Sequence, residues 1–366
     1  MIAASLGKSW ESNLITWRTL LATLVALGIA TIGGIADAGA ADSCKLVKIA
    51  DWPIRLERNR LLVDGAINGQ KIAVMLDTGS MKTLILRAAA VRLGLSLSDA
   101  TRERLFGVGG ETKVEVAVVD EFRVGQAVQK QMRMLVAGEH DLGDQVAVLL
   151  GEDFFQRFDV EFDLAHNAVR LFQPKDCDGV SLAYWANTGA GEVEFEALNE
   201  MRPRIILPIQ INGEPLKAML DSGASLSVLE KADAARVGVT PETSGVIATG
   251  GGRGMGKRSV DTWLGPFRSF TIGNETIRDT EIRFSDTFKD ATYSVTGSNV
   301  PKKIKTDSSM MLGADFLRSH RMLVAHSQRK IYFTYSGGPV FQLNRPSVQG
   351  DESRPADNAK PGVDKN

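Results

Sequence analysis

The chain has 366 residues, of which 43% are hydrophobic and 24% are charged. This composition is typical of a folded globular protein, and the length is sufficient for two domains of ordinary size. The formal net charge of −1 at pH 7 argues against a nucleic-acid partner.

The N-terminal segment, residues 1–40, has the pattern of a signal peptide. Basic residues precede the apolar stretch TLLATLVALGIATIGGIADAGA (19–40), which ends in the small residues Ala38-Gly39-Ala40. We expect cleavage after Ala40, with Ala36 as the second choice. An uncleaved membrane anchor is the alternative, although the apolar run is short for a bilayer and interrupted by glycine. The segment predicts a periplasmic or secreted protein that has no membrane contact after cleavage.

Export would give the two cysteines a structural role. Cys44 and Cys177 are the only cysteines of the chain, and both lie after the expected cleavage point. An oxidising compartment permits a disulfide, so we predict that they pair and tie together the two ends of the intervening segment. Two free thiols are the alternative.

The first folded segment is predicted to be rich in strands. In LLVDGAINGQKIAVMLDTGSMKTLILRAAAVRLGL (61–95), two apolar runs flank Asn68-Gly69, a pair that favours a tight hairpin turn. The second run stops at Asp77, and a short helix is predicted over 86–95. The sequence RFDVEFDLAHNAVRLF (157–172) then has a strand-turn-strand pattern.

The same order of elements returns later in the chain. The segment IILPIQINGEPLKAMLDSGASLSVLEKADAARVGV (205–239) aligns with the first segment without a gap, which places Asp221 144 residues after Asp77. Farther along, MLGADFLRSH (311–320) matches LLGEDFFQRF (149–158). A period this long indicates a duplicated domain rather than a solenoid.

The duplication sets the predicted domain boundaries. We expect an N-terminal lobe over 45–177, a linker over 178–200, a C-terminal lobe over 201–344 and a disordered tail over 345–366. The second copy also carries extra residues between its motifs, 284–307, which are predicted to form a surface insertion.

The two apolar strands are followed by related triplets, Asp-Thr-Gly at 77–79 and Asp-Ser-Gly at 221–223. One such triplet is common in turns, but the pair, in the same register of a repeat, resembles the aspartic proteases. Each half is similar to a retropepsin, and the fusion of two halves is similar to pepsin. The resemblance covers approximately 60–172 and 204–334. It implies an all-β fold of two homologous β-barrel lobes with one short helix each.

The resemblance also implies roles for the residues of the two triplets. Asp77 and Asp221 would be the catalytic pair, because two carboxyl groups held close together share a proton and can activate water between them. The glycines would let backbone amides approach these carboxylates, and the hydroxyls would form hydrogen bonds across the lobe junction. The supporting residues are Thr78 and Gly79 in the first triplet and Ser222 and Gly223 in the second.

Ser80 is a further supporting candidate, because its counterpart in the second copy is Ala224. A hydroxyl that donates a hydrogen bond to a carboxylate lowers the pKa of that carboxylate. We therefore expect Asp77 to ionise more readily than Asp221, which would hold the shared proton.

Both copies carry a glycine-rich stretch where the family has a mobile flap over the substrate. The flap candidates are Gly107, Gly109 and Gly110 in the first copy and Gly250, Gly251 and Gly252 in the second. An ordinary surface turn is the alternative. Lys257 gives the second stretch the spacing of a phosphate-binding loop, but Arg258 stands where that loop requires Ser or Thr, which excludes it.

The predicted function is therefore that of an exported aspartic endopeptidase, acting as a monomer on peptide or protein substrates. No cofactor is expected, and no metal is expected because the His and Cys residues lack the spacing of a metal site. Two alternatives stay open. One is a non-catalytic peptide-binding or assembly module that uses the same cleft, and the other is a homodimer whose active site forms between chains.

Overall fold

The computed structural model describes residues 43–100, 105–143, 145–198, 203–287, 292–294, 301–303 and 307–341. The expected signal peptide and the expected tail, 1–40 and 345–366, lie outside these residues. None of the helices in the described ranges is long and apolar enough to cross a membrane.

Strands dominate the part of the chain that the structure describes. The first half contributes β1 Lys45–Pro53, β2 Arg55–Glu57, β3 Arg60–Ile67, β4 Gln70–Leu76, β5 Leu84–Leu86, β6 Leu97–Asp99, β7 Leu105–Gly107, β8 Gly110–Thr112, β9 Glu115–Val124, β10 Ala127–Ala137, β11 Val146–Leu150, β12 Asp159–Asp163 and β13 Ala168–Lys175. The second half contributes β14 Gly191–Glu194, β15 Ile206–Ile211, β16 Glu214–Leu220, β17 Val228–Glu230, β18 Ile247–Gly252, β19 Val260–Ile272, β20 Glu275–Ser285, β21 Thr292–Ser294, β22 Pro301–Lys303, β23 Met310–Leu312, β24 His320–Ala325 and β25 Lys330–Tyr335.

The α-helices within the described ranges are short: α1 Arg87–Arg92, α2 Glu152–Phe155, α3 Lys231–Arg236 and α4 Ala314–Arg318. The predicted helix is present in each lobe as α1 and α3, but each lobe has a second helix that the sequence did not predict. These extra helices, α2 and α4, start directly after Gly151 and Gly313. They are too short to show a helical period in sequence, and burial of Phe155 and Phe316 holds them against the core.

Each half of the chain forms a closed barrel of six strands. The first barrel has the order β3-β4-β11-β5-β10-β9, and it closes because β9 also pairs with β3. The second has the order β15-β16-β23-β17-β20-β19, and β19 pairs with β15. The two barrels correspond strand by strand, which confirms the predicted all-β fold with two homologous lobes.

Local sequence explains the hairpin turn that connects the first two strands of each barrel. Asn68 and Gly69 have φ angles of 49° and 79°, and Asn212 and Gly213 have φ angles of 54° and 86°. Left-handed backbone at both positions suits a two-residue hairpin turn, and these residues tolerate it better than most. The predicted hairpins therefore connect β3 to β4 and β15 to β16.

A third sheet joins the lobes, with the order β1-β13-β12-β24-β25-β14. Its central pair, β12 and β24, comes from different lobes and runs antiparallel, with Val160 opposite Val324. The segment predicted as a linker contributes β14, which pairs with β25 at one edge. At the other edge a disulfide joins Cys44, just before β1, to Cys177, just after β13.

Polar contacts between the lobes reinforce this interlobe sheet. His326, in the turn between β24 and β25, lies 2.6 Å from a carboxylate oxygen of Glu152 in the first lobe. Ser327 donates to the carboxylate of Asp159 through its backbone N–H at 2.9 Å and its hydroxyl at 2.7 Å. The relative position of the two barrels is thus fixed by strand pairing and by side chains.

The predicted insertion, 284–307, lies partly outside the described residues. Its described part includes the end of β20 and a small antiparallel hairpin of β21 and β22.

Candidate active site

Each candidate aspartate directly follows a strand that lies between two other strands of its barrel. The backbone N–H of Asp77, after β4, donates to the carbonyl of Leu150 at 2.9 Å. The backbone N–H of Asp221, after β16, donates to the carbonyl of Leu312 at 2.9 Å. The neighbouring parallel strands, β11 and β23, therefore fix the position at which each aspartate leaves its sheet.

The two aspartates meet at the lobe junction, each against the glycine of the other triplet. A Cβ atom placed on Gly79 would lie 2.3 Å from Cγ of Asp221. A Cβ atom placed on Gly223 would likewise lie 2.3 Å from Cγ of Asp77. Only a residue without a side chain leaves space for this arrangement. The structure therefore brings together the two carboxyl groups that the repeat singled out.

Backbone donors hold both carboxyl groups in place. Oδ1 of Asp77 accepts the N–H of Ser80 at 2.9 Å. Oδ1 of Asp221 accepts the N–H groups of Gly223 and Ala224, each at 3.0 Å. The two loops thus present their amides to the carboxylates in nearly the same way, as the duplication leads one to expect.

Thr78 and Ser222 form a crossed set of hydrogen bonds between the lobes. The hydroxyl of Thr78 donates to the carbonyl of Leu220 at 3.0 Å and accepts the N–H of Ser222 at 3.0 Å. The hydroxyl of Ser222 donates to the carbonyl of Leu76 at 2.9 Å and accepts the N–H of Thr78 at 3.0 Å. Each hydroxyl serves as both donor and acceptor, so the two aspartate loops are locked together.

Burial controls the ionisation of the pair. Burial raises the pKa of Asp77 well above the usual range of an aspartate, and the neighbouring Asp221 carboxylate raises it further. Burial also raises the pKa of Asp221, but the N–H groups of Ala224 and Gly223 and a hydrogen bond from Asp77 oppose this rise. Two buried acids in contact cannot both carry a charge, so the pair holds a shared proton.

Two further residues, Ser80 and Arg204, lie close to the pair. The hydroxyl of Ser80 donates to the backbone carbonyl of Lys82 at 2.7 Å. The positive charge of Arg204, which entered no sequence-based argument, lowers the pKa of Asp221. The expectation that Asp77 ionises more readily than Asp221 stays a prediction.

Two further acids, Asp153 and Asp315, support the segments that follow the aspartate triplets, and the sequence analysis did not identify them. In the first lobe, Asp153 accepts both the N–H and the hydroxyl of Thr83 at 2.8 Å, and the same hydroxyl accepts the N–H of Gly151. In the second lobe, Asp315 and Ser227 repeat this arrangement. The signal was present, because Asp153 aligns with Asp315 in the downstream match. The role of these acids becomes visible only once the loops are folded.

Three glycines of the predicted flaps, Gly107, Gly251 and Gly252, line the same cleft as the two aspartates. Gly107 and Gly110 pair across the short β7–β8 hairpin, and Gly109 lies in its turn. Gly250, Gly251 and Gly252 belong to β18, so they form the base of the second flap rather than its tip.

The tip of the second flap, which the sequence did not single out, contacts the first flap. The N–H of Gly256 donates to the carbonyl of Val108 at 2.9 Å, and the N–H of Arg258 donates to that of Gly109 at 3.1 Å. A Cβ atom on Gly256 would lie 2.2 Å from the carbonyl carbon of Gly109. The two flaps therefore meet backbone to backbone.

Between the flaps and the aspartates lies a cleft of about 480 Å³. Both lobes and both flaps line it, together with apolar methionines and several charged side chains: Met75, Met219, Met310, Met311, Arg60, Arg204, Arg253, Arg283 and Glu230. Within the described part of the chain, no three His, Cys, Asp or Glu side chains come together as a metal site.

The comparison with protein-family models agrees with this geometry. A family model described as aspartyl protease matches residues 63–154 and 207–316, one match in each half of the chain. Among solved structures, a retropepsin-like aspartic protease from Rickettsia conorii is 22% identical with a TM-score of 0.25, over 36% of this chain and 95% of its own. No curated protein matches the chain. The two family matches together span more than half of the sequence, and the chain therefore belongs to the aspartyl protease family, with duplicated retropepsin-like domains.

Proposed function

We propose that the protein is an exported aspartic endopeptidase that works as a two-lobed monomer. The observation that carries this proposal is the contact between Asp77 and Asp221, buried at the lobe junction beneath two flaps. One chain supplies both acids, both supporting hydroxyls and both flaps. No second chain is needed to complete such a site.

The proposed reaction follows from the proton that the two acids share. The ionised acid of the pair takes a proton from a water molecule bound between Asp77 and Asp221. The other acid, which holds the shared proton, donates it to the oxygen of the scissile peptide carbonyl. Water adds to the carbonyl carbon, the C–N bond breaks, and the amine leaves with a proton returned by the pair.

Cleavage within chains, rather than at their ends, is supported by the lining of the cleft. Residues of both lobes flank the aspartates, so an extended peptide can continue on either side of the scissile bond. The strand edges of the flaps offer main-chain hydrogen bonds to such a peptide, which is a common mode of peptide recognition.

Export is supported by two features of the chain. Residues 19–40 have the composition of a signal peptide. The Cys44–Cys177 disulfide is suited to an oxidising compartment such as the periplasm or the exterior.

Cleavage of a mixed peptide library between pH 3 and pH 7, with products read by mass spectrometry, tests this proposal. We expect cuts at internal bonds, and incorporation of one oxygen when the reaction runs in ¹⁸O-labelled water. Asp77→Asn and Asp221→Asn should each reduce the rate by on the order of 10³-fold, because each removes a proton donor or acceptor.

Three results would contradict the proposal. Cleavage that persists unchanged in both variants would remove the protease assignment to this pair. Release of terminal residues alone would contradict an endopeptidase. Tight peptide binding without any cleavage by the wild type would favour the non-catalytic alternative.

A further inference from the structure

Arg204 is a buried cation in the cleft that the proposed chemistry does not explain. It lies just before β15, and its side chain is only 9% exposed. It lines the same cleft as Asp221, close enough for its charge to lower the pKa of that aspartate.

The hydrogen-bonding capacity of Arg204 is not filled. Its Nε is buried and has no hydrogen-bond partner among the described residues. Its Nη1 lies 3.9 Å from the carboxylate of Asp307, a side chain that is 43% exposed. A guanidinium presents a planar fork of donors, and arginines this buried usually have a carboxylate or phosphate opposite the fork.

The internal duplication supplies a reference for this residue. Arg60 occupies the equivalent position, 144 residues earlier, and also lines the cleft. Its Nη1, however, donates to the backbone carbonyl of Leu142. Arg60 therefore donates to a backbone carbonyl in the first lobe, whereas Arg204 has an ion pair at 3.9 Å and an Nε without a hydrogen-bond partner among the described residues in the second.

The surroundings favour an anion as the missing partner. Four arginines line the cleft, against the aspartate pair and Glu230. The aspartate pair shares a proton, and burial raises the pKa of Glu230 to about 8, so this glutamate is mostly uncharged in acidic and neutral solution. Met219 and Met310 supply apolar wall around the site, which strengthens a charge-assisted hydrogen bond.

We propose that Arg204 is a specificity-determining residue that binds the side-chain carboxylate of a glutamate or aspartate in the substrate, on the C-terminal-lobe side of the scissile bond. This inference rests on the proposed function, because it assigns the substrate class of the same cleft. The bound carboxylate would satisfy the guanidinium fork that the folded chain leaves incomplete.

The test uses C-terminally amidated peptides built on a sequence that the library experiment identifies. Glu, Gln and Lys are placed in turn at each position around the scissile bond, and kcat/KM is measured at about pH 5.5, where a peptide glutamate with a pKa of about 4.3 is ionised. We expect one position at which Glu exceeds Gln by about 10- to 100-fold, as for a hydrogen-bonded charge. The amidated peptides have no C-terminal carboxylate, so the preference for Glu cannot come from that group. We expect the same Glu-to-Gln ratio with peptides that keep a free C-terminus.

Variants assign the effect to one side chain. Arg204→Gln should bring the Glu-to-Gln ratio at that position to near 1 while the Gln peptide is still cut, and Arg204→Lys should retain part of the preference. Arg60→Gln is the matched control and should keep the ratio. Melting temperatures establish that each variant is folded.

Three outcomes would overturn the inference. The wild type could show no such position, or Arg204→Gln could keep the ratio. Arg204→Gln could also slow all peptides equally and move the acidic limb of the pH–rate profile. That last result would mean that Arg204 only tunes Asp221.

A binding measurement separates this inference from the proposed function. Fluorescently labelled peptides that are drawn from the library itself, in pairs that differ only by Glu or Gln, are titrated against Asp77→Asn, which keeps Asp221 beside Arg204. We expect tighter binding of the Glu peptide, and loss of the difference when Arg204→Gln is added. If the wild type cuts nothing but this difference is present, the protease proposal fails and the anion site stands. If the wild type cuts peptides and neither assay shows a difference between the Glu and Gln peptides, the protease proposal stands and the anion site fails.

Discussion

Two glycines set the closest approach of the two catalytic candidates. Gly79 and Gly223 each lie against the carboxyl group of the opposite lobe. Neither has a positive φ angle, so the backbone itself would accept another residue. Their role is to leave space, because a Cβ atom at either position would overlap the facing carboxyl group.

We expect Gly79→Ala and Gly223→Ala each to reduce kcat/KM by about 100-fold or more, because displacement of a catalytic group by about 1 Å has effects of that size. Peptide cleavage should be measured together with the melting temperature, so that loss of activity is separated from unfolding. Wild-type activity in a folded Gly79→Ala protein would contradict the arrangement described for the pair.

Some residues of the candidate site could be predicted from the sequence and others could not. Asp77 and Asp221 could be predicted because the repeat places them in one register. The burial of Arg204 could not, because it depends on segments that are distant in sequence, such as the one that carries Asp307. The position of Arg204 was visible as a match to Arg60, but the match says nothing about the hydrogen-bond partners of either side chain.

At the scale of elements, β5 and β17 are equivalent strands that end differently. β5 ends in Leu86, which is buried, and β17 ends in Glu230 at the same position of the repeat. Burial raises the pKa of Glu230 from a usual value of 4.5 to about 8, and the nearby Asp286 and Asp233 act in the same direction. The second lobe therefore has an acidic side chain at the position where the first lobe has an apolar one.

This difference makes stability depend on pH. A carboxyl group with a raised pKa in the folded state contributes fully below pH 4.5, and its contribution is lost as the pH rises through about 8. We expect Glu230→Gln to reduce the fall in unfolding free energy between pH 5 and pH 9, by up to roughly 4 kcal/mol.

Urea unfolding at several pH values measures this effect. Glu230→Leu, which copies the first lobe, should flatten the profile in the same way. Profiles that are parallel for the wild type and Glu230→Gln would contradict the raised pKa.

Elements with a strong local signal were predictable. The Asn-Gly hairpins and the helices α1 and α3 were expected from turn residues and from apolar spacing, and the structure confirms them. The helices α2 and α4 were not expected, since four or five residues carry no helical period. Their position is set by the packing of Phe155 and Phe316 rather than by local preference.

At the scale of the whole molecule, the sheet that contains strands of both lobes determines the architecture. The pairing of β12 with β24 joins segments about 160 residues apart, and no repeat or local pattern specifies it. The sequence therefore indicated two lobes but not how they are joined. It also assigned β14 to a linker, since four residues in a polar stretch give little strand signal.

The disulfide closes the edge of this sheet over a sequence separation of 133 residues. We expect the double variant Cys44→Ser, Cys177→Ser to lose about 4–5 kcal/mol of unfolding free energy, because an unlinked chain gains entropy when it unfolds. Peptide cleavage should persist under mild conditions, since the aspartates lie elsewhere. Urea unfolding measures the loss, with the reduced wild type as a control that should match the variant. Equal stability of the oxidised wild type and the variant would contradict a structural role for the bond.

The central claim is that one chain carries a complete catalytic pair, with Asp77 from one lobe and Asp221 from the other. The most direct measurement mixes equal amounts of Asp77→Asn and Asp221→Asn, refolds them together so that chains can exchange, and records peptide cleavage. We expect the mixture to be as inactive as either variant alone, on the order of 10³-fold below the wild type. Recovery of activity in the mixture would show that the two acids meet between chains, and substantial activity in one single variant would show that they do not work as a pair.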